Sequence, residues 1–301
     1  MRVSGAAGKP ASGERPGPVT ILEVIQRSTD FLAKKGVPSP RLQVEHLLAH
    51  VLGMPRMKLY LSFERALTPE QLDAVRALVR RRGSREPLQH VTGSAAFCGL
   101  ELGVNPHVLA PRPETELLAE RAWKFLKEST ALNPAPAALD LGTGSGCIAI
   151  ALAVNVPAAV VHAADVSAEA LAVARENAAR HHARIQFHHG DLFAPLPPAS
   201  RFRLIVSNPP YIPTARLAAL EPEVRDHEPR QALDGGADGM DFYRRIAAEA
   251  GAFLEPDGRL MLELDDDGPA ATAEIFQQQK WVVEAIELDY NQHPRILIAR
   301  L

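Results

Sequence analysis

The chain has 301 residues, 46% hydrophobic and 23% charged, with a net charge of −3, a balance that permits a full hydrophobic core in one large domain or two smaller ones. Its apolar runs are too short to span a bilayer as helices, so no membrane partner is expected. Cys98 and Cys147 form no CxxC pair, which excludes a disulfide framework and a cysteine-based zinc site and fits a reducing, cytoplasmic setting.

Residues 1–18 are rich in Gly, Pro, Ala and Ser, lack the apolar stretch of a secretory signal, and read as a disordered tail. Residues 19–85 read as a small helical bundle. Ile21, Leu22, Val24, Ile25 and Leu32 recur at helical spacing, as do Leu42, Val44, Leu47, Leu48 and Val51. Pro38-Ser39-Pro40 separates these two helices, and Thr68-Pro69-Glu70 opens a third. That third helix is expected to turn Leu72, Val75, Leu78 and Val79 inward and Arg76, Arg80, Arg81 and Arg82 outward. Residues 1–110 carry a charge surplus of +6 and the remainder −9. A basic front end either faces an acidic partner or is a solvated arginine face.

Over residues 86–110 the period shortens. Segments Gln89 to Thr92, Ala95 to Cys98 and Leu100 to Val104, separated by Gly93 and Gly99, suggest a β-hairpin linker. Pro111-Arg112-Pro113-Glu114-Thr115-Glu116 then opens a helix to Lys127. From Ala137 strands and helices alternate, with strands at Ala137 to Leu141, Ala159 to Ala164, Ile185 to His188, Leu204 to Ser207, Arg259 to Leu264, Val282 to Leu288 and Arg295 to Leu301. A helix over Tyr243 to Leu254 precedes the fifth strand. Such alternation in residues 111–301 means an α/β, doubly wound, mostly parallel sheet that binds ligands at its carboxyl edge.

Chemistry concentrates at four strand ends. Asp140-Leu141-Gly142-Thr143-Gly144-Ser145-Gly146 follows the first strand. The third glycine arrives one residue early for a dinucleotide fingerprint, which tilts the reading from a dinucleotide to a methyl-donor nucleoside whose ammonium an acidic, carbonyl-rich turn can hold. A purely structural turn would use glycines as well. Asp165 ends the second strand, placed to accept from both ribose hydroxyls or to cap the next helix. Gly190-Asp191-Leu192 follows the third strand, where Asp191 can take an adenine amino group. Asn208-Pro209-Pro210-Tyr211 follows the fourth. The prolines stiffen the loop and remove two donors, so the Asn208 side-chain oxygen and the Pro209 carbonyl can each accept one hydrogen of a planar NH2 group. Tyr211 offers a stacking face. Adjacent His181-His182 and His188-His189 diverge in direction and Asp265-Asp266-Asp267 reads as a solvated loop, so no metal is expected.

Together Gly142 to Gly146, Asp165, Asp191 and Asn208 to Tyr211 match the amino-methyltransferase pattern. Three more stretches narrow it: Pro87 to Gly93 with Phe97, Pro111 to Glu116, and Glu228-Pro229 through Ala232-Leu233-Asp234-Gly235-Gly236 to Asp238-Gly239. Over roughly Ile21 to Leu301 the chain resembles the HemK-like release-factor glutamine N5-methyltransferases. The resemblance implies a five-helix-type front domain, a hairpin linker and a Rossmann-like class I methyltransferase domain with a seven-stranded sheet. It implies S-adenosylmethionine as methyl donor, S-adenosylhomocysteine as product, and the glutamine of the Gly-Gly-Gln loop of class I peptide chain release factors as substrate. Cofactor residues would be Asp140, Gly142, Thr143, Gly144, Gly146, Asp165, Asp191, Leu192 and Asn208. Substrate residues would be Phe97, Arg112, Glu114, Asn208, Pro209 and Tyr211, with Asn208 to Tyr211 carrying catalysis in a monomer. One departure is Asp265, where the family pattern places glycine two residues after Glu263.

The same tetrad serves DNA adenine and RNA guanine methyltransferases. Those need a positively charged cleft, and the −9 balance of the catalytic half argues against nucleic acid as partner. A non-catalytic binding module would not need the intact tetrad beside both cofactor carboxylates.

Overall fold

The computed structural model describes residues 18–266 and 268–301. The expected tail, apart from Pro18, and Asp267 lie outside them. The chain forms two compact units that meet between Leu88 and Gln89.

The first unit holds α1 (Ile21–Lys34), α2 (Pro40–Leu52), α3 (Arg56–Leu59) and α4 (Pro69–Gly83). Reciprocal capping boxes start α1 and α4: the Thr20 and Thr68 hydroxyls accept from the N–H of Glu23 and Gln71, whose side chains reach back to the cap. The apolar stripes of α1, α2 and α4 pack pairwise, burying Ile21, Ile25, Leu47, Leu48 and Val75. Arg82 corrects the expected outward arginine face. It falls three residues after Val79, on the buried stripe, and is 3% exposed. Its guanidinium donates to the Gln43 side chain at 2.9 Å and to the Glu86 carbonyl at 3.1 Å, which satisfies the charge that burial would otherwise strand. Arg76 and Arg80 do face solvent.

The second unit begins within α5 (Leu88–Thr92), a short helix where the sequence suggested an extended segment. Burial of His90 and Val91 shows why: adjacent buried residues suit a helical turn docked on one side better than an alternating strand. The hairpin β1 (Ser94–Phe97) and β2 (Leu100–Gly103) turns at Cys98-Gly99, both at positive φ. After α6 (Pro113–Ser129) come β3 (Ala137–Leu141), α7 (Cys147–Asn155), β4 (Val160–Asp165), α8 (Ala168–Arg180), β5 (Ile185–His189) and β6 (Phe202–Ser207). A long excursion containing α9 (Pro222–Arg225) leads to α10 (Asp241–Glu249), β7 (Leu254–Glu263), α11 (Pro269–Gln278), β8 (Val282–Leu288) and β9 (Pro294–Arg300). The helix expected to reach Leu254 stops at Glu249 and tightens into a 3-10 turn at Ala250–Ala252, because Leu254 is already paired with Phe202 in the sheet.

The strand order is β5-β4-β3-β6-β7-β9-β8, parallel except for β9, which runs against both neighbours. This is the mixed seven-stranded, Rossmann-like sheet of class I methyltransferases. Strand alternation sends Ala138, Leu204, Val206 and Met261 to one face, against α6 and α7. It sends Leu139, Leu141, Ile205 and Leu260 to the other, against α10 and α11. The order reverses at β3, between β4 and β6, and a crevice opens outside the carboxyl ends of these strands. Among the described residues no helix is long and apolar enough to cross a membrane.

Candidate active site

The crevice is a cleft lined on one wall by Gly142, Gly144, Asp165 and Val166, and on the other by Asn208, Pro209 and Pro210. Positive φ at Gly144 (55°) and Gly146 (82°) bends the loop after β3 so that backbone, not side chain, faces the cleft. Its shape is held from below. The buried Asp140 Oδ2 accepts from the Thr143 hydroxyl at 2.7 Å and from the Ala149 N–H at 3.1 Å, pinning both ends of the turn. Burial pushes the Asp140 carboxyl up to about 7. Asp140, Thr143 and Gly146 therefore shape the loop from beneath and do not line the cleft.

Asp165 works from the cleft wall. One carboxylate oxygen accepts from the Gly144 N–H at 2.8 Å and the other from the Ser167 N–H at 2.9 Å, while Ser167 caps α8. Burial raises its carboxyl, and the backbone hydrogen bonds oppose that rise. Asp191 and Leu192 also line the cleft. Asp191 pairs with Arg245 at 2.7 Å, and that guanidinium lies 5.8 Å from the Phe242 ring centre, on the same rim. Two carboxylates, an apolar floor and a backbone free of Cβ atoms suit an adenosyl group with its charged methionine end.

Across the cleft, the Ser207 hydroxyl donates to the Leu141 carbonyl at 2.7 Å and locks the end of β6 to the end of β3. This fixes Asn208 opposite the glycine loop. Asn208 Nδ2 donates to the Thr115 hydroxyl at 3.1 Å, and that hydroxyl donates to the buried Glu263 carboxylate at 2.7 Å. Burial pushes the Glu263 carboxyl up to about 7. Tyr211 does not line the cleft. It packs behind it, with its hydroxyl 3.5 Å from Glu263, and burial raises its phenol. The next residue, Ile212, is clamped by the glycine-rich stretch: its N–H donates to Leu233 O at 3.0 Å and Gly235 N–H donates to its carbonyl at 2.9 Å. A Cβ on Gly235 would sit 2.8 Å from Tyr211 Cα.

Three expected substrate residues stand elsewhere. Phe97 is fully buried in the sheet core with Leu102 and Leu118, so its ring meets no solvent-borne substrate. Both Arg112 contacts go to buried Glu228, at 2.7 and 2.8 Å, tying the start of α6 to the excursion. Glu114 lines a separate depression with Asp289 and Tyr290. Asp265 sits 3.8 Å from Arg216 and accepts from its neighbour's N–H. Sequence reasoning missed Thr115 and Glu263 as site residues, and the His107 to Leu109, Gln231 and Phe242 walls of the cleft. It also missed Asn177, whose side chain bonds Gly103 on β2 and the Ser145 carbonyl in the glycine loop.

Two family models match: the PrmC N-terminal domain over residues 23–93 and the methyltransferase small domain over residues 120–219. The chain is 51% identical over 251 residues to the release factor glutamine methyltransferase of Geobacter sulfurreducens, covering 83% of this chain and 86% of that one. It is 45% identical over 283 residues to that of Chlorobaculum tepidum, covering 92% and 95%. The hMettl16 catalytic domain, solved in complex with MAT2A 3'UTR hairpin 6, shares the fold at a TM-score of 0.50 and 15% identity, over 67% of this chain and 75% of that one.

Proposed function

The chain belongs to the release factor glutamine methyltransferases, and from that membership we propose that it methylates the glutamine side-chain amide in the Gly-Gly-Gln motif of class I peptide chain release factors. The observation that carries this reading is the opposition, across one cleft, of the glycine loop with Asp165 and the Asn208-Pro209-Pro210 edge. S-adenosylmethionine bound there supplies a methyl group made electrophilic by its sulfonium sulfur. Gly142 and Gly144 would give it close backbone approach, Asp165 would take the ribose hydroxyls, and Asp191, Leu192 and Phe242, which line the same cleft, would hold the adenine.

On the facing wall Asn208 Oδ1 and the Pro209 carbonyl each accept one hydrogen of the glutamine NH2. An amide nitrogen is a weak nucleophile because its lone pair is delocalised into the carbonyl. Two acceptors in the amide plane orient it and stabilise the positive charge that builds on nitrogen as the N–C bond forms and the C–S bond breaks. The nitrogen then gives up one proton to solvent water, leaving N5-methylglutamine and S-adenosylhomocysteine. Every group named comes from residues 89–301 of one copy, acting on a protein of the cytoplasm.

The test is transfer of labelled methyl to a recombinant release factor, with its glutamine-to-alanine variant and duplex DNA as controls. Label on the glutamine amide alone supports the reading. Label on DNA, or equal label on the alanine variant, overturns it.

A further inference from the structure

Asn208 has two chemically opposite ends, a carbonyl oxygen that accepts and an NH2 that donates. Only one orientation serves a substrate NH2. We propose that Thr115 and Glu263 are positioning residues that set this orientation, an inference that rests on Asn208 being the acceptor for the substrate amide. The geometry is a one-way chain. An ionised Glu263 carboxylate can only accept, so the Thr115 hydroxyl spends its single hydrogen on Glu263 Oε2 at 2.7 Å. What remains on Thr115 Oγ1 is a lone pair. A lone pair accepts from the Asn208 NH2, which lies at 3.1 Å, and repels the Asn208 carbonyl. The amide oxygen is thereby turned away from Thr115.

Burial makes the chain strict. Thr115 is 3% exposed and Glu263 1%, so no bulk water competes for these partners. Donation from Nδ2 also draws electron density onto Oδ1 and strengthens it as an acceptor, because hydrogen bonds in series polarise one another. Burial and the Glu114 charge raise the Glu263 carboxyl, while the Thr115 hydroxyl, the Arg295 charge and the Tyr211 hydroxyl oppose that rise and favour the ionised, accepting state. Tyr211 approaches the second Glu263 oxygen at 3.5 Å, Tyr243 donates to the Glu263 backbone carbonyl at 2.8 Å, and the Arg295 guanidinium anchors the strand end through the Leu264 carbonyl. None of these can replace the Thr115 hydroxyl, which among the described residues is the atom that bridges the acid and the amide. The Thr in Pro111 to Glu116 and the Glu that ends β7 thus act on the reaction through Asn208 without touching substrate.

The experiment compares the full-length enzyme with Thr115→Val, Thr115→Ser and Glu263→Gln, measuring kcat and KM for release factor and calorimetric affinity for S-adenosylhomocysteine. Thr115→Val keeps shape and removes the hydroxyl. Its kcat should fall about 10- to 100-fold, with KM and cofactor affinity within about threefold. Thr115→Ser should restore most of the turnover. Glu263→Gln can donate where Glu accepts, reversing the chain so that the hydroxyl hydrogen meets Asn208 Oδ1, and kcat should fall comparably. If Thr115→Val loses cofactor affinity through misfolding, Glu263→Gln decides by the same criterion. Turnover within threefold of wild type in a folded Thr115→Val or Glu263→Gln overturns the inference, as does a folded Thr115→Ser no better than valine. Wild-type enzyme that fails to methylate release factor overturns instead the reading on which the inference stands, and the inference with it.

Discussion

The Asp165 carboxylate accepts a 2.8 Å hydrogen bond from the backbone N–H of Gly144. This cross-link joins the carboxyl ends of β3 and β4 and makes the glycine loop part of a rigid wall. Asp165→Ala should therefore weaken S-adenosylhomocysteine binding by about 1–3 kcal/mol, through lost ribose contacts and a loosened loop together. Asp165→Asn keeps one acceptor and should fall between the two. Titration calorimetry checks the order, and unchanged affinity in the alanine variant would restrict Asp165 to bonding the Ser167 N–H.

Gly235 is a second place where backbone meets backbone. Its hypothetical Cβ lies 2.8 Å from both Cα and C of Tyr211, so Gly235→Ala must shift backbone at the end of the Asn208-Pro209-Pro210-Tyr211 loop or in the glycine stretch that holds it. A displacement near 1 Å at a reacting group costs on the order of 100-fold in rate. We expect turnover to drop at least tenfold while cofactor affinity, set on the opposite wall, holds within about threefold. Equal loss of both parameters would point to unfolding of the excursion instead.

The elements were largely legible because alternating apolar residues and glycine turns are local signals. Asp165 and Asn208 were legible for the same reason: each ends a strand whose period is visible. Glu263 and Thr115 were not, being 148 residues apart and joined only by the sheet order that brings β7 beside β6 and packs α6 across them. Phe97 and Arg112 mislead in the opposite direction. An aromatic and an arginine in a recognisable motif read as ligand contacts, yet the ring fills the core under the hairpin and the guanidinium answers Glu228. Arg82 shows that helical spacing can outrank side-chain polarity when partners such as Gln43 lie within reach.

His162 and His188 stack on adjacent strands with Nδ1 and Nε2 2.9 Å apart. One ring donates and the other accepts, so at least one must be neutral. Burial lowers both values, with the His188 charge adding to the effect at His162. A histidine whose folded value lies below its unfolded value, about 6.5, supplies stability above that pH and loses it as pH falls through the folded value. The stabilisation this pair supplies, read as the unfolding temperature of wild type minus that of His188→Gln, should therefore decline on acidification below about pH 6.5, against the opposite trend of the raised Asp140 and Glu263 carboxyls. His188→Gln keeps a hydrogen bond and removes the second charge. Parallel pH profiles for variant and wild type would exclude the pair as its source.

The hairpin, expected as a linker, is part of the catalytic unit's core. Phe97 and Leu102 are fully buried with Leu118 and Ile148, and Asn177 binds Gly103 on one side and the glycine loop on the other. A fragment of residues 111–301 would expose that core face and strand the Asn177 amide. Losing even one such buried Phe or Leu contact costs about 2–5 kcal/mol, a large share of a domain's net stability. A fragment of residues 89–301 removes none of it, because the compact unit begins at Gln89. We expect the longer fragment to unfold cooperatively and to bind S-adenosylhomocysteine with near wild-type affinity, and the shorter one to do neither. Calorimetry and thermal unfolding on the two fragments decide it. Should residues 111–301 bind the cofactor as tightly as the longer fragment, the hairpin would be a separable linker after all, and the Gly103 hydrogen bonds to Asn177 would have no role in shaping the loop.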